Sequence, residues 1–553
     1  MGGRLKVGLI VDSERVSRHV YELAQWASQT DAVCISHLIV QPLPATTAPR
    51  ASVVTRVFRK SPAAHATVAL WKAKARLESR VIGRMPAYRG QQGSRDMGNL
   101  VPGRIRITPL VSRSGFVHRF SEADLEKIRA EQFDVLIRCG TGILRGPILT
   151  SARLGILSFH HGDNRVNRGG PAGFWEVFHR QEKTGYIVQK LSEELDGGDV
   201  ILRGFIPTQR THLLNAAMLF AKSYQALRAL LLDIARTGEL PAAEPRYPYS
   251  GKLLLQPGLK ELVSYLSRQV ARSAQARARR MLRYEERWGI CYAKTDWRDA
   301  VLWRGTQVKT PRGHFLADPF VSTQAGRTCV LAEDYDYRTR RAHITAYDLT
   351  GETAQPLGCA LEEDFHLSFP YLFEADGKLF MVPEARASKQ IRIYECVEFP
   401  IRWKLAVVAM KNVEAVDTMI FRKNDLWWLL TNISRTEPHD CSSELHLFWA
   451  RTPLTDQWTA HPRNPIVIDP DTARNGGLLN GGTDVFRVAQ ARQFGSYGTS
   501  ARLFHITRLD PEQYTEQLVS TIAPSFAPGL SGTHHLHSNG QYSVWDFKKW
   551  ERV

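Results

Sequence analysis

A unit of about 50 residues recurs through the second half of this sequence, and it restricts the fold more than any other feature. Each copy opens with a polar turn that leads into a strand, and near Trp288 the hydrophobic periodicity changes from helical to alternating. Five copies at this spacing predict a five-bladed β-propeller. The copies begin at Ala317-Asp-Pro-Phe, Leu367-Ser-Phe-Pro, Val416-Asp-Thr-Met, Asn480-Gly-Gly-Thr and Gly532-Thr-His-His.

The first half has the pattern of an α/β domain with a mostly parallel sheet. The apolar run Leu5 to Val11 is typical of a buried parallel strand, and the amphipathic stretch 13–28 predicts the helix that follows it. A long apolar helix is expected over Leu213 to Arg236. We therefore predict three parts, namely an α/β domain at 1–245 with a basic insertion at about 47–106, a basic helical linker at 246–287 and the propeller at 288–553.

Charge and composition limit the partners and the compartment. The 553 residues carry a formal net charge of +18, which favours an anionic partner. No run of 18 apolar residues predicts a membrane span, and the N-terminus enters a strand directly, so we expect a cytoplasmic protein. The seven cysteines are scattered and form no C-x-x-C pair. They predict neither a disulfide framework nor a metal site.

The stretch Leu154 to Gly170 carries the strongest chemical pattern of the first half. An apolar strand over 155–159 ends at His160, and a glycine-rich turn further along the chain presents Asp196. Ligands of parallel α/β sheets bind outside the carboxyl ends of the strands. A histidine whose reference pKa lies near neutrality and a carboxylate in one cleft could together move a proton.

These residues resemble the folate-dependent formyltransferases, which include the glycinamide ribonucleotide, methionyl-tRNA and amino-sugar enzymes. The matching motifs are Ser158-Phe-His160, Arg168-Gly-Gly170, Thr184-Gly185 and Leu195-Asp-Gly-Gly198. The family has asparagine where this chain has Ser158. The resemblance implies a catalytic trio of Ser158, His160 and Asp196.

The same resemblance implies a pocket for N10-formyltetrahydrofolate and an acceptor site in the turn. Its implied cofactor residues are Gly140, Gly142, Ile143, Leu144 and Leu195, and its implied substrate residues are His161, Asp163, Asn164 and Arg168. The expected reaction is formyl transfer to a small-molecule amine that is sugar-linked or anionic, with the propeller selecting the substrate. No oligonucleotide-binding barrel follows the first domain, so we expect no nucleic-acid partner. The oligomeric state stays open.

The second half resembles the N-terminal propeller of glucosamine inositolphosphorylceramide transferases, which is itself similar to five-bladed glycosidases. The matching motifs include Ala317-Asp-Pro-Phe320, His366-Leu-Ser-Phe-Pro-Tyr371 and Trp427-Trp428. Turns of innermost strands point into a propeller's channel, so we expect carboxylates to meet there. The candidates are Asp318, Glu333, Glu384 and Asp417. An alternative function follows, glycoside hydrolysis or carbohydrate binding by the propeller, with the first domain altered to a hydrolytic or binding role.

Overall fold

The structure is a computed structural model that describes residues 4–42, 62–91, 93–194, 197–435, 440–492 and 496–552. The chain forms two compact units. Unit 1 is Met1–Val270, and unit 2 is Ala271–Arg435 with His439–Val553. The sequence-derived boundaries at 245 and 288 stay predictions.

Unit 1 combines strands and helices. Its strands are β1 (Leu5–Val11), β2 (Arg15–Ser17), β3 (Val33–Val40), β4 (Ser94–Asp96), β5 (Gly103–Arg106), β6 (Leu110–Val111), β7 (Val117–Arg119), β8 (Val135–Arg138), β9 (Ile143–Leu144), β10 (Ile156–His160), β11 (Lys183–Lys190) and β12 (Asp199–Pro207). Its helices are α1 (Arg18–Ala27), α2 (Pro62–Gly83), α3 (Glu122–Arg129), α4 (Phe174–His179), α5 (His212–Thr237) and α6 (Leu259–Met281), the last of which continues into unit 2.

A seven-stranded sheet in the order β12-β11-β10-β8-β1-β3-β5 organises unit 1. Strands β10, β8, β1, β3 and β5 are parallel, whereas β11 is antiparallel to both of its neighbours, β10 and β12. On β1, Val7 and Leu9 pack on one face with Leu23 of α1 and Leu227 of α5, while Ile10 packs on the other. The mixed α/β architecture predicted for the first half is confirmed, because apolar side chains cover both faces of the sheet.

Several sequence-derived elements differ from the structure in unit 1. The segment 137–144 does not open a helix, because Ile143–Leu144 forms the short strand β9 beside β7. The helix in the basic insertion is present at Pro62–Gly83, but much of the rest of that insertion, 43–61, lies outside the described residues. Leu195 and Asp196 also lie outside them.

Unit 2 is rich in β-structure. Its strands are β13 (Tyr284–Ala293), β14 (Thr306–Gln307), β15 (His314–Gln324), β16 (Arg327–Asp336), β17 (Arg341–Asp348), β18 (Gln355–Leu361), β19 (Ser368–Ala375), β20 (Lys378–Glu384), β21 (Gln390–Glu398), β22 (Arg402–Lys411), β23 (Ala415–Lys423), β24 (Leu426–Ile433), β25 (Glu444–Ala450), β26 (Thr459–Ala460), β27 (Val467–Ile468), β28 (Arg474–Gly481), β29 (Asp484–Gln490), β30 (Ala501–Leu509), β31 (Tyr514–Ile522), β32 (Leu530–Gly532), β33 (Leu536–Ser538) and β34 (Ser543–Arg552). The linker helix predicted to reach 286 ends at Met281, and β13 begins three residues later.

These strands form antiparallel sheets that follow one another along the chain. Four sheets are built from β15–β18, β19–β22, β23–β27 and β28–β31, and a further sheet pairs β13 and β14 with β32, β33 and β34. The inner strands of the sheets are β15, β19, β23, β28 and β33. Each contacts the next, and β33 also contacts β15.

The same irregularity recurs in four inner strands. Their pairing with the next strand shifts between Ala317 and Phe320, Ser368 and Tyr371, Val416 and Met419, and Asn475 and Leu478. In these four sheets the repeat therefore corresponds to a β-bulge. The fourth copy was predicted too late, since Asn480 and Gly481 lie in the hairpin to β29, and Asn475-Gly476-Gly477 is the equivalent segment.

No helix in the described part of the chain is long and apolar enough to cross a membrane.

Candidate functional site

The bulges of unit 2 hold acidic side chains in an uncommon backbone conformation. Asp318 and Asp417 occupy equivalent bulges and both have φ of 49°. A positive φ is costly for residues with a side chain and persists where the surrounding structure enforces it, often at functional sites. Both carboxylates are buried, with Asp318 4% and Asp417 1% exposed. The bulges thus place two carboxyl groups in the interior of unit 2.

Two further acids lie on the second strands, opposite the bulges. Glu333 of β16 pairs with Ala317, and Glu384 of β20 pairs with Ser368. The Glu333 carboxylate lies 3.3 Å from His366 Nε2. We call Asp318, Glu333, Glu384 and Asp417, together with Asp546 of β34, the carboxylate cluster. All four acids predicted from the sequence are therefore placed at the inner ends of their sheets.

One guanidinium balances part of this charge. Arg474 Nε donates to Asp417 Oδ2 at 2.5 Å, and its Nη2 lies 3.7 Å from Glu384 Oε2. Its guanidinium also packs over the Tyr497 ring, 4.6 Å from the centroid. Although burial alone would lower the pKa of Arg474, Asp417 holds it well above the usual range. Arg474 therefore stays charged in the cluster.

Two carboxyls of the cluster, those of Asp318 and Glu384, have raised pKa values. Burial, with the neighbouring charges of Glu333, Asp417 and Asp546, raises the pKa of Asp318 well above its ordinary value. Burial and the adjacent Asp417 raise the pKa of Glu384 to about 8. At neutral pH these two carboxyls can therefore donate a proton or a hydrogen bond, while charged carboxylates accept.

The fifth sheet supplies histidines to the same cluster. His534 Nε2 lies 3.7 Å from Asp318 Oδ1, and His534 Nδ1 lies in close contact with Asp546 Oδ2. The Trp288 ring stacks on His534 with centroids 4.0 Å apart. Ligand atoms of Asp318, His534 and Asp546 lie within 4.8 Å of one another, so they could hold a metal ion. Asp318 Oδ1 accepts no hydrogen bond from the described residues. The sequence, judged by its cysteines, predicted no metal site.

Sequence reasoning missed several residues of this cluster. Arg474, Tyr497, His534 and Asp546 were not among the candidates. Arg474 directly precedes Asn475-Gly476-Gly477, so placing the fourth bulge correctly would have identified it. His534 lies in the recognised repeat Gly532-Thr-His-His. Asp546 carries no comparable sequence signal, because it comes from a different strand of the sheet.

In unit 1, the residues predicted as catalytic are bound to their own chain. The Ser158 side chain is buried, its hydroxyl accepts from Arg138 Nη1 at 3.3 Å, and it donates to the Phe159 carbonyl at 3.4 Å. His160 Nε2 donates to the Asn167 carbonyl at 3.0 Å. These bonds engage the groups that the predicted trio would use on a substrate. Asp196 lies outside the described residues, so the trio stays a prediction.

The turn after His160 is held by one buried arginine. Arg203 pairs with Asp163, donates from Nη2 to Asn164 Oδ1 at 3.0 Å, and forms an ion pair of 2.8 Å with Glu244. Arg168 packs over the Tyr249 ring, 4.5 Å from the centroid. His161 Nε2 lies 3.1 Å from Ser223 Oγ, and burial lowers the pKa of His161 to about 3. The predicted substrate residues thus form an internal network.

The predicted cofactor wall is also tied internally. Asp12 accepts from the Thr141 N–H at 2.9 Å, and the Ile143 N–H donates to the Phe116 carbonyl at 2.7 Å. A side chain at Gly140 would collide with Asp12, and one at Gly142 with His118. Leu144 is buried in the core. The main-chain donors of Thr141 and Ile143 are therefore already used.

Comparison with known proteins finds relatives for unit 2. The family model described as "Glucosamine inositolphosphorylceramide transferase 1, N-terminal" matches residues 304–527. The proteins named glucosamine inositolphosphorylceramide transferase 1 are 31% identical over 210 residues in Oryza sativa subsp. japonica and 34% in Arabidopsis thaliana. These matches cover 37% of this chain, and 28% and 27% of the relatives. The chain thus spans less than a third of the length of the curated relatives that it matches.

Solved structures give distant similarities. A thermostable family-43 glycoside hydrolase is 11% identical, with a TM-score of 0.29 over 38% of this chain and 76% of that one. Glycinamide ribonucleotide transformylase 1 from Symbiobacterium toebii is 15% identical, with a TM-score of 0.27 over 43% of this chain and 90% of that one. Similarities this distant carry no argument about function.

These findings correct the functional prediction. Formyl transfer from N10-formyltetrahydrofolate is wrong for this chain, because the matching family and relatives are named for transfer involving glucosamine and inositolphosphorylceramide. The internal bonds of Ser158 and His160 agree with this correction. The alternative prediction, glycoside hydrolysis, is not better supported by these comparisons than formyl transfer. The comparisons show that residues 304–527 are similar to the N-terminal part of the glucosamine inositolphosphorylceramide transferases.

Proposed function

We propose that this chain is a transferase, or part of one, that binds the amino-sugar portion of its substrate in the carboxylate cluster of unit 2. The observation that carries the proposal is the excess of acid in a buried site. The cluster holds five acids, Asp318, Glu333, Glu384, Asp417 and Asp546, while Arg474 bonds to Asp417 and lies 3.7 Å from Glu384. A buried cluster of this kind is completed by a further cation, and the ammonium group of an amino sugar is one.

The arrangement of the sheets supports a confined site. We infer that the five sheets close into a five-bladed propeller, because successive inner strands contact each other and β33 contacts β15. In such a fold the inner strands line a central channel. The shared bulges would then place Asp318 and Asp417 at one level of that channel.

The chemistry of sugar transfer suits groups with separated pKa values. A leaving oxygen needs a proton and an attacking hydroxyl must lose one, so a neutral carboxyl and a charged carboxylate serve opposite roles. In this proposal Glu384, with its raised pKa, donates, and Asp417, held by Arg474, accepts or stabilises positive charge. Tyr497 and Trp288 give the apolar ring surface near these groups.

Unit 1 is a separate question. We infer that it shares a fold with the formyltransferases, on the strength of its motif order and the position of His160 at the end of β10. Its internal network suits a structural or accessory role. Cytoplasmic location stays a prediction.

The test compares sugars that differ in charge. The full chain is titrated with glucosamine, N-acetylglucosamine and glucose by isothermal titration calorimetry, with EDTA present so that no metal ion occupies the acids. We expect glucosamine to bind most tightly. Asp417→Asn and Glu384→Gln should each weaken glucosamine binding by about tenfold or more. The matched control is Glu512→Gln, which neutralises an exposed acid in the hairpin between β30 and β31.

Two outcomes would contradict the proposal. One is equal affinity for glucosamine and glucose, since the carboxylates would then contribute no charge selection. The other is unchanged glucosamine affinity in both cluster variants, because binding would then lie elsewhere.

A further inference from the structure

Unit 2 has a second cavity at the opposite end of its inner strands. The cavity measures about 570 Å³ and is lined on β15 by Val321, Ser322 and Thr323. These residues lie three to five positions beyond Asp318 along the same strand. At about 3.3 Å per residue the lining is roughly 10 to 17 Å from the bulge. We call this space the strand-end cavity, and it is distinct from the carboxylate cluster.

All five sheets contribute residues to the strand-end cavity. Relative to the bulges, β19, β23 and β28 supply their residues from the same part of the strand as β15, and the β33 turn completes the lining. The polar members are Ser322, Thr323, Glu374, Arg422, Asn480, His537, Ser538, Asn539 and Gln541, and the aromatic members are Tyr371, Phe373, Phe421 and Trp427. The cavity is therefore part of the architecture of the unit rather than an accident of one loop.

Its polar groups are mainly neutral. Asn539 Nδ2 donates to Thr323 Oγ1 at 2.9 Å, which fixes one side of the rim. The side-chain amides of Asn480 and Gln541 have no hydrogen-bond partner within the part of the chain that the structure describes. Amides and hydroxyls can both donate and accept. They are thus available to bind a ligand that does the same.

Two aromatic rings line the same cavity as these amides. The rings of Phe373 and Trp427 meet edge to face with centroids 5.8 Å apart. The indole N–H of Trp427 donates to no other residue that the structure describes. A cavity lined by both aromatic rings and amides offers apolar and polar surface, and a sugar, with its apolar ring face and polar hydroxyls, matches this combination.

The charges in the lining disfavour an anionic ligand. Arg422 is the cation of this rim, and its Nη2 lies 3.3 Å from Asp425 Oδ1. Glu374 adds a negative charge and accepts from Gln324 at 2.7 Å. A phosphate would therefore meet no unpaired cation among the lining residues, whereas a neutral polyol needs none.

We propose that the strand-end cavity is a second carbohydrate site that binds a neutral sugar, separate from the amino-sugar site proposed for the carboxylate cluster. Its volume lies in the range of about 300 to 1,000 Å³ that is usual for small-molecule sites, which is enough for a short saccharide. The sugar packs on Trp427 and Phe373 and bonds to Asn480 and Gln541. Through this site, unit 2 binds an uncharged part of a glycan.

The experiment titrates the full chain with cellobiose, a neutral disaccharide, by calorimetry and by saturation-transfer NMR. We expect Trp427→Ala to weaken cellobiose binding by about tenfold or more and Trp427→Phe to retain most of it. The double variant Asn480→Ala, Gln541→Ala should give a similar loss without altering the melting temperature, because both amides are exposed. The matched control is Trp303→Ala, a 63% exposed tryptophan elsewhere in unit 2.

A variant in the carboxylate cluster separates the two proposals. Asp417→Asn should weaken glucosamine binding and leave cellobiose binding unchanged. Loss of cellobiose binding in Asp417→Asn, with none in the Asn480, Gln541 double variant, would overturn the second site. No measurable cellobiose binding to the unmodified chain would also overturn it. Loss of glucosamine selectivity with cellobiose binding intact would instead overturn only the proposed function.

Discussion

The turn after His160 in unit 1 and the carboxylate cluster of unit 2 are both polar, but they differ in how completely their charged and polar groups are paired. In unit 1, Asp163 and Glu244 share Arg203, and Ser158 and His160 are hydrogen-bonded to their own chain. In unit 2, five acids share one buried cluster in which Arg474 bonds to Asp417, and Asp318 Oδ1 accepts no hydrogen bond from the described residues. The formyltransferase-like motif lies in unit 1, where its polar groups are hydrogen-bonded within the chain. The acids that are not fully paired lie in unit 2. A buried cluster of acids that are not fully paired is therefore a better indicator of a functional site here than the sequence motif.

The largest expected effect comes from removing the cation of the cluster. Arg474→Met leaves Asp417 and Glu384 buried without their partner, so we expect the free energy of unfolding of unit 2 to fall by about 3 to 5 kcal/mol. Hydrogen exchange followed by mass spectrometry on peptides from β23 and β28 measures the change within this unit. The loss should be larger at pH 8 than at pH 5, since Glu384, whose pKa is raised to about 8, is neutral at pH 5.

Arg508→Met is the control for this prediction. Arg508 pairs with Asp510 at 2.8 Å on an exposed hairpin, so its removal should change the stability little. If the two variants were equally stable, the cluster would not depend on Arg474, and the contrast between the two regions would disappear.

Glu384 of unit 2 and His212 of unit 1 should contribute to stability with opposite pH dependence. Burial and Asp417 raise the pKa of Glu384 from 4.5 to about 8, so the folded state holds a proton that the unfolded chain releases. The contribution of Glu384 to stability is thus lost as pH rises from about 4.5 to 8. Burial, with the nearby Lys74, lowers the pKa of His212 in unit 1 from 6.5 to about 3. Its contribution is lost as pH falls from about 6.5 to 3.

Variants that replace Glu384 or His212 with a side chain that does not titrate isolate the effect of each group on stability. Glu384→Gln should gain stability relative to the unmodified chain as pH rises, and His212→Gln should gain as pH falls. Denaturant unfolding at a series of pH values, with exchange data to assign each transition to its unit, provides the comparison. Parallel pH profiles for a variant and the unmodified chain would contradict the assigned pKa direction at that position.

The smallest expected effect concerns Ser158. Ser158→Ala removes the acceptor for Arg138 Nη1, and a single hydrogen bond contributes about 1 kcal/mol. We expect a slight fall in the melting temperature of unit 1 and no change in glucosamine binding. Threonine at this position, Ser158→Thr, keeps the hydroxyl and serves as the control. A change in sugar affinity would show that the turn of unit 1 contributes to the proposed function.

The sequence predicted elements with strong periodicity well. Strand β1 was predicted at its observed bounds and helix α5 within one residue at each end, because each has an uninterrupted apolar pattern. The segment 137–144 was misassigned, since its two glycines form tight turns held by Asp12 rather than starting a helix. That contact joins residues 129 positions apart, and local patterning carries no information about it.

The candidate site was predictable only in part for the same reason. Asp318 and Asp417 follow from the repeat, because equivalent bulges carry them. Arg474 was missed because the fourth bulge was placed too late, and Asp546 reaches the cluster from β34, where no repeat marks it. Motif resemblance in unit 1 named residues whose side chains the structure shows to be engaged internally.

The pairing of β13 with β34 has a consequence for biosynthesis. Tyr284 lies opposite Arg552 in this antiparallel pair. The first strand of unit 2, β13, therefore cannot form this pairing until the last strand, β34, has been synthesised. During translation the edge of β13 stays open while the intervening sheets are made, and an open edge is a template for pairing with other chains. A ribosome that pauses before Ser543 would hold a nascent chain in this exposed form. Its survival would then depend on chaperones that shield strand edges until the final strand emerges.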